Sequence, residues 1–177
     1  MAQKNEYGNA LFLLAEEEGA IDKVKDDLIT LSSLLKKNPD YVKLLDTPAI
    51  SKAEKLSLID GALTPLHYSV VNLLKMLCEK HSVYTFRAIL DTYLSLCDEH
   101  YGIERVEAVT AIPLSDKQTK TLTDKVAQIT GKTVIIKNTV EPGILGGVVL
   151  RYAGAQLDGS VKTRLDAFSE RLKKLTI

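Results

Sequence analysis

The hydrophobic pattern of this chain changes its period once, close to Tyr101-Gly102, and no single-class fold accommodates both sides of the change. Before that point apolar residues recur every three to four positions, the spacing that keeps one face of a helix buried. Directly after it, residues 104–112 read ERVEAVTAI, rich in β-branched side chains that fit a pleated, half-buried strand. The pattern predicts α followed by α/β: an N-terminal six-helix bundle over 1–103 and a small C-terminal α/β module over 104–177.

Punctuation residues set the element ends. A helix over 5–18 stops at Gly19, and one over 21–37 carries the stripe Ile21, Val24, Leu28, Leu31, Leu34 and Leu35. Pro39 and Pro48 bracket a short helix over 40–46. Ser51-Lys-Ala-Glu54 has the form of a capping box, in which hydroxyl and carboxylate each meet a backbone N–H, and it opens a helix to about Leu63. Helices over 67–80 and 83–101 follow. In the second part, the strand at 104–112 precedes a helix from Ser115 to Thr130 with Leu122, Val126 and Ile129 inward, ended by Gly131. Short strands are expected at 132–138, 147–153 and, after a turn at Gly154, 155–157. A last helix begins at Asp158-Gly159-Ser160, with Val161, Leu165, Phe168, Leu172 and Leu175 at helical spacing.

Bulk properties narrow the class. Of 177 residues, 45% are apolar, enough for a packed core, yet no apolar run approaches the roughly 18–20 residues that span a bilayer. The start, MAQKNEYGNA, lacks the basic and long apolar segments of a secretory signal. Cys78 and Cys97 both fall in apolar helical patterns and are expected as buried free thiols, which suits a reducing compartment. Formal charge sums to zero but is unevenly placed: residues 1–103 carry 11 basic and 15 acidic side chains, residues 104–177 carry 12 and 8.

Chemistry-bearing motifs are scarce. The stretch 141–160, EPGILGGVVLRYAGAQLDGS, holds five of the ten glycines. A phosphate loop needs a lysine and a hydroxyl after its last glycine, but Gly143, Gly146 and Gly147 are followed by Val148-Val149. A dinucleotide fingerprint needs different spacing and a helix next, whereas a strand follows here. Gly146 and Gly147 are read as a bulge or a close backbone approach. Asp158 places a carboxylate at the final helix start, where it caps N–H groups and opposes a phosphate. His67, His81 and His100 are too scattered for a metal set. The acids Asp26-Asp27 and Glu16-Glu17-Glu18 read as solvated helix faces. No catalytic, cofactor or metal residues are assigned. The dispersed lysines, three Phe and absent Trp give no nucleic-acid platform.

What stands out is apolar excess in two helices. Ala10-Leu-Phe-Leu-Leu-Ala15 is six apolar residues in a row, which at 3.6 residues per turn reach every side of the first helix. In the fifth helix, Val70 to Cys78 leaves only Asn72 and Lys75 polar. Either both are central core helices, or one side of each packs on the domain while the other receives a partner helix. Met76 suits such a groove, being adaptable.

These residues carry a family resemblance over nearly the whole chain. Tyr7-Gly-Asn-Ala-Leu-Phe12, Thr110-Ala-Ile-Pro-Leu114, Glu141-Pro-Gly-Ile-Leu-Gly146-Gly147-Val148, Arg151, and Asp158-Gly159-Ser160-Val161 with Arg164-Leu165 resemble, in order and spacing, the signature phrases of the delta subunit of bacterial or chloroplast F-type ATP synthase, related to the mitochondrial oligomycin-sensitivity-conferring protein. The resemblance implies a non-catalytic stator subunit, one copy per complex and without cofactor. It links the catalytic hexamer to the membrane-anchored b subunits at the cytoplasmic face of a bacterial inner membrane or the stromal face of a thylakoid, without inserting into the bilayer. It further implies that the helical domain holds the N-terminal helix of an alpha subunit between helices one and five, with Tyr7, Ala10, Leu11, Leu14, Met76 and Leu77 as groove residues. The C-terminal module would meet the C-terminal ends of the b subunits, with Gly146, Gly147, Asp158, Gly159, Ser160 and Arg164 as a structural signature. Two departures stand out. Glu79-Lys-His-Ser82 occupies the place of a common Glu-Asn-Gly-Arg phrase, and Gly8 replaces an alanine, which should weaken an interior helix by about 1 kcal/mol. The competing readings are a small phosphate-binding enzyme built on the 143–160 block and a helical adaptor unrelated to ATP synthase.

Overall fold

The computed structural model describes residues 2–47, 50–144, 146–152 and 155–159. Among these are seven α-helices and a four-stranded mixed sheet, in two compact units, Met1–Cys97 and Asp98–Ile177. The final predicted helix, with Ser160, Val161 and Arg164, lies outside the described residues, as do Pro48 and Gly154.

The first unit contains α1 (Ala2–Glu17), α2 (Ile21–Lys37), α3 (Pro39–Asp46), α4 (Lys52–Ala62), α5 (Tyr68–Glu79) and, after a 3₁₀ turn at Val83–Thr85, the start of α6 (Phe86–His100). The predicted continuous helix from 83 therefore begins with a tighter turn, in which the Thr85 hydroxyl donates to the Ser82 carbonyl at 2.7 Å. Capping follows the sequence where the cap is local: the Ser51 hydroxyl accepts from the Glu54 N–H and the Glu54 carboxylate from the Ser51 N–H, at 3.3 and 3.2 Å. Gly19 ends α1 with φ +64°.

One hydrophobic cluster runs through all six helices, with Val24, Leu28, Leu31, Leu45, Ile59, Leu74, Leu77 and Ile89 fully buried. Tyr93 sits within it, its hydroxyl donating to the Ile21 carbonyl at 3.0 Å and its ring edge-on to Phe12. Both cysteines are buried free thiols. Two expectations for α2 are corrected. Leu34 is 41% exposed, and Asp27, expected on a solvated face, is buried. The Asp27 carboxylate accepts from the Lys23 ammonium at 2.8 Å and from the His67 N–H, 40 residues away, at 2.7 Å. A buried carboxylate held by a cation and a backbone donor is a satisfied group.

Gly8 also reverses an expectation. It is buried in α1, and a Cβ there would lie 2.7 Å from Thr92 Cγ2, 2.8 Å from Thr92 Cβ and 3.2 Å from the Ile89 carbonyl. The glycine lets α1 approach α6. Replacing it by alanine gains about 1 kcal/mol of helix propensity but overpacks a stiff β-branched neighbour at a cost of ~1–3 kcal/mol. Gly8→Ala is therefore expected to lower the urea midpoint; a raised midpoint would show that Thr92 gives way.

In the second unit, β1 (Ile103–Thr110) is followed by α7 (Asp116–Thr130), β2 (Thr133–Val140), β3 (Val148–Tyr152) and β4 (Ala155–Asp158). The sheet order is β2-β1-β3-β4, with β1 parallel to β2 and the other pairs antiparallel. A parallel pair needs a crossover, which α7 supplies. Val106, Ala108, Val109, Val134 and Val149 are buried. A second capping box, Ser115 with Gln118, opens α7, and Gly131 closes it at φ +68°. Leu122 and Val126 are half-buried as expected, but Ile129 is 85% exposed. The half-buried stripe runs Thr119, Leu122, Thr123, Val126, Ala127, Thr130, and its centre lies about 90° around the helix from Ile129.

Candidate functional site

The strongest candidate surface is carried by α1 and α5, and two long-range contacts pin these helices together. Near the start of α1, the Tyr7 hydroxyl accepts from the Lys80 ammonium at 2.5 Å, and the ammonium lies 5.2 Å from the ring centroid. At the other end, the Tyr68 hydroxyl donates to the Glu18 carboxylate, which also stands 3.7 Å from His67 Nε2. Early α1 thus meets late α5 and the reverse, so the helices run antiparallel. The spans agree: Tyr7 to Glu18 and Tyr68 to Lys80 are about 17 and 18 Å at 1.5 Å per residue. The bond to Tyr7 holds the Lys80 ammonium pKa up, and the bond to Glu18 does the same for the Tyr68 hydroxyl.

The start of α5 is fixed independently. His67 is its N-cap, with Nδ1 accepting from the Ser69 N–H at 3.4 Å, and its own N–H is held by Asp27 of α2. Nothing local marks Asp27 for this task; its sole signal is its place inside an otherwise apolar stripe.

Placed on this frame, the six predicted groove residues divide. Leu11 and Leu77 are 6% and 0% exposed and pack in the core of the free chain. Helix α1 has a buried face, Gly8, Leu11, Phe12 and Ala15, and its six-residue apolar run also reaches an outward one. Leu77 shares with Leu73, Leu74 and Val70 the inward face of α5. Ala10, Leu14 and Met76 are exposed, and Leu13, not singled out from sequence, is more exposed than either Leu14 or Met76. Tyr7 is half-buried against the core, with its hydroxyl on Lys80. Large apolar side chains left outward on adjacent helices are what an apolar helix needs for docking.

The Gly-rich block is built as a strand pair. Gly146 and Gly147 take φ of +152° and +87° and lead into β3, whose Val148 pairs with Thr110. A close approach occurs at Gly159: its N–H donates to the Val148 carbonyl at 3.0 Å, and a Cβ would stand at the same distance from that oxygen. Asp158 pairs with Val149 at the end of β4; any cap it provides lies outside the described residues, with Ser160 and Arg164. Arg151 faces Glu107 across the ladder at 3.7 Å, and the Glu107 carboxylate also accepts from the Thr139 hydroxyl at 2.7 Å. Asn138 ties the β1–α7 connection down: its amide donates to the Ala108 carbonyl and Thr110 hydroxyl, both at 2.8 Å, and its oxygen accepts from the Leu114 N–H at 2.9 Å.

No described helix is long and apolar enough to cross a membrane. Residues 4–172 match the family model described as ATP synthase delta (OSCP) subunit. The chain is 34% identical over 173 residues to the ATP synthase subunit delta of Clostridioides difficile strain 630, covering 97% of this chain and 96% of the relative. It is 31% identical over 170 residues to the subunit delta of Anaeromyxobacter sp. strain K, covering 95% of each. Its fold is similar to that of a chain in the Toxoplasma gondii mitochondrial ATP synthase hexamer, with a TM-score of 0.70, 23% identity and 96% of each chain covered. The enzyme and unrelated-adaptor readings yield to these matches, and the chain belongs to the ATP synthase delta (OSCP) subunit family, the non-catalytic peripheral-stalk component of the synthase.

Proposed function

We propose that this protein is a two-ended adaptor. Helices α1–α6, acting as a six-helix bundle over residues 1–103, hold the N-terminal helix of an alpha subunit on the α1/α5 face. The module over 104–177 meets the C-terminal ends of the b subunits. One copy serves each complex, at the cytoplasmic face of a bacterial inner membrane or the stromal face of a thylakoid. The observation that carries this reading is the set of outward apolar side chains, Leu13, Leu14 and Met76, on two helices clasped at both ends.

Magnitudes favour two attachments. With Leu11 and Leu77 already in the core, the face offers three large side chains and half of Tyr7. Fully burying three such groups yields a gross ~5–9 kcal/mol, less where they are already part-covered. Association costs ~4–15 kcal/mol in lost freedom. One face alone is a marginal anchor against rotary torque, and a second attachment in the same assembly raises the effective concentration of the first. The test is a titration of the isotope-labelled chain with two synthetic peptides in separate experiments. One peptide copies the N-terminal helix of the alpha partner, the other the carboxyl end of the b partner. The first is expected to shift amides of α1 and α5, the second those beyond residue 103. Shifts in the reverse pattern, or none, would sink the two-ended reading.

A further inference from the structure

The cleft between α1 and α5 has ends of opposite charge. Each end is marked by a tyrosine hydroxyl bonded to one charged group: Tyr7 to the Lys80 ammonium, Tyr68 to the Glu18 carboxylate. A hydroxyl carries no formal charge, so neither contact neutralises its partner.

The surrounding charges leave this difference standing. Glu79, next to Lys80, is paired with Lys52 at 2.9 Å. Lys75, midway along α5, is held by Asp60 at 2.5 Å. Glu6 and Glu17 are both exposed and eleven residues apart in α1, close to three full turns, so they flank the two ends alike and cancel in the comparison. Glu16, two residues before Glu18, lies on the far side of α1. Near Glu18, His67 commits its Nδ1 lone pair to the Ser69 N–H, which a protonated ring could not do. Between the ends the outward side chains are uncharged: Ala10 and Leu14 on α1, Asn72 and Met76 on α5.

We infer that this polarity fixes the direction of the docked helix: its more basic end lies over Glu18 and its more acidic end over Lys80. The inference rests on the α1/α5 docking reading above and adds the sign of the charge at each end of the partner. Tyr7 to Glu18 spans about 17 Å, so the complementary charges stand about three turns apart on the partner helix. A full side-chain charge outweighs the roughly half charge of a helix terminus, so side chains rather than the dipole set the direction. In the reversed pose like charges meet, which suppresses it.

The test uses the full isotope-labelled chain and a synthetic peptide copying the N-terminal helix of the alpha partner, with a nitroxide at one end or the other. With the label on the more basic end, the amides of Glu17, Glu18 and Tyr68 are expected to broaden more than that of Lys80; moving the label to the other end reverses the pattern. Two variants remove one charge each and keep the clasp. Glu18→Gln retains an acceptor for the Tyr68 hydroxyl, and Lys80→Gln retains a donor for that of Tyr7. Each is expected to weaken binding about two- to fivefold at low ionic strength and to flatten its salt dependence. The opposite broadening pattern, or equal broadening from both labels, would overturn the inference while leaving α1/α5 as the docking face. So would affinity and salt dependence unchanged in both variants. A peptide that fails to bind, or binds away from α1 and α5, removes the docking reading and this inference with it.

Discussion

Replacing Leu14 and Met76 together by glutamine is expected to weaken binding of a peptide copying the alpha partner's N-terminal helix by about 10–100-fold while leaving the fold intact. With 37% and 45% of these side chains still exposed, docking buries under half of each, so each substitution removes ~0.6–1.3 kcal/mol of apolar transfer, a combined ~1–2.5 kcal/mol. Burying an amide without a partner adds to the loss. Stability is spared for two reasons. The side chains are 37% and 45% exposed in the free chain, so little core packing is lost. Glutamine has a helix propensity close to that of leucine and methionine, so α1 and α5 keep their local preference. Unfolding midpoints should move by less than about 1 kcal/mol, as for other surface changes. Tyr7→Asp is a poorer probe, because Tyr7 both packs against the core and clasps Lys80. Undiminished peptide binding by the double variant, with its fold confirmed by circular dichroism, would remove α1/α5 as the docking face.

Local chemistry was legible in the chain to within a few residues, because its causes are local. Ser51 and Ser115 cap where a hydroxyl stands three residues before a Glu or Gln, and Gly19 and Gly131 stop helices at positive φ. What escaped depends on the element lying across. Asp27 is buried because a backbone N–H 40 residues away needs an acceptor, and no window of sequence contains both groups. Gly8 is a helix-weakening residue until Thr92 is placed against it. Gly159 matters through the Val148 carbonyl, which only the register of β3 with β4 brings near. The division of the groove residues between core and surface was not legible for a different reason. Six consecutive apolar positions in α1 cover the whole circumference, so periodicity selects no face there, and packing alone turns Leu11 inward and Leu13 outward.

The adjacent pair Leu77 and Met76 offers the complementary measurement. Leu77→Ala is expected to destabilise the first unit by ~2–5 kcal/mol, the range for deleting a fully buried leucine side chain and leaving a cavity. Leu77 is 0% exposed among Leu73, Leu74 and the rest of the core. Met76, about 100° around the same helix, is 45% exposed. A domain of this size has on the order of 5–15 kcal/mol in total, so the loss is a large fraction of it. Thermal unfolding should fall by roughly 4–8 °C for each kcal/mol. Peptide affinity, measured well below the new midpoint, should change little, because the outward face is still presented. The two residues would then separate cleanly, one governing stability and its neighbour governing binding. A Leu77→Ala chain that kept its midpoint but lost the peptide would return Leu77 to the groove and make its burial a property of the unbound protein alone.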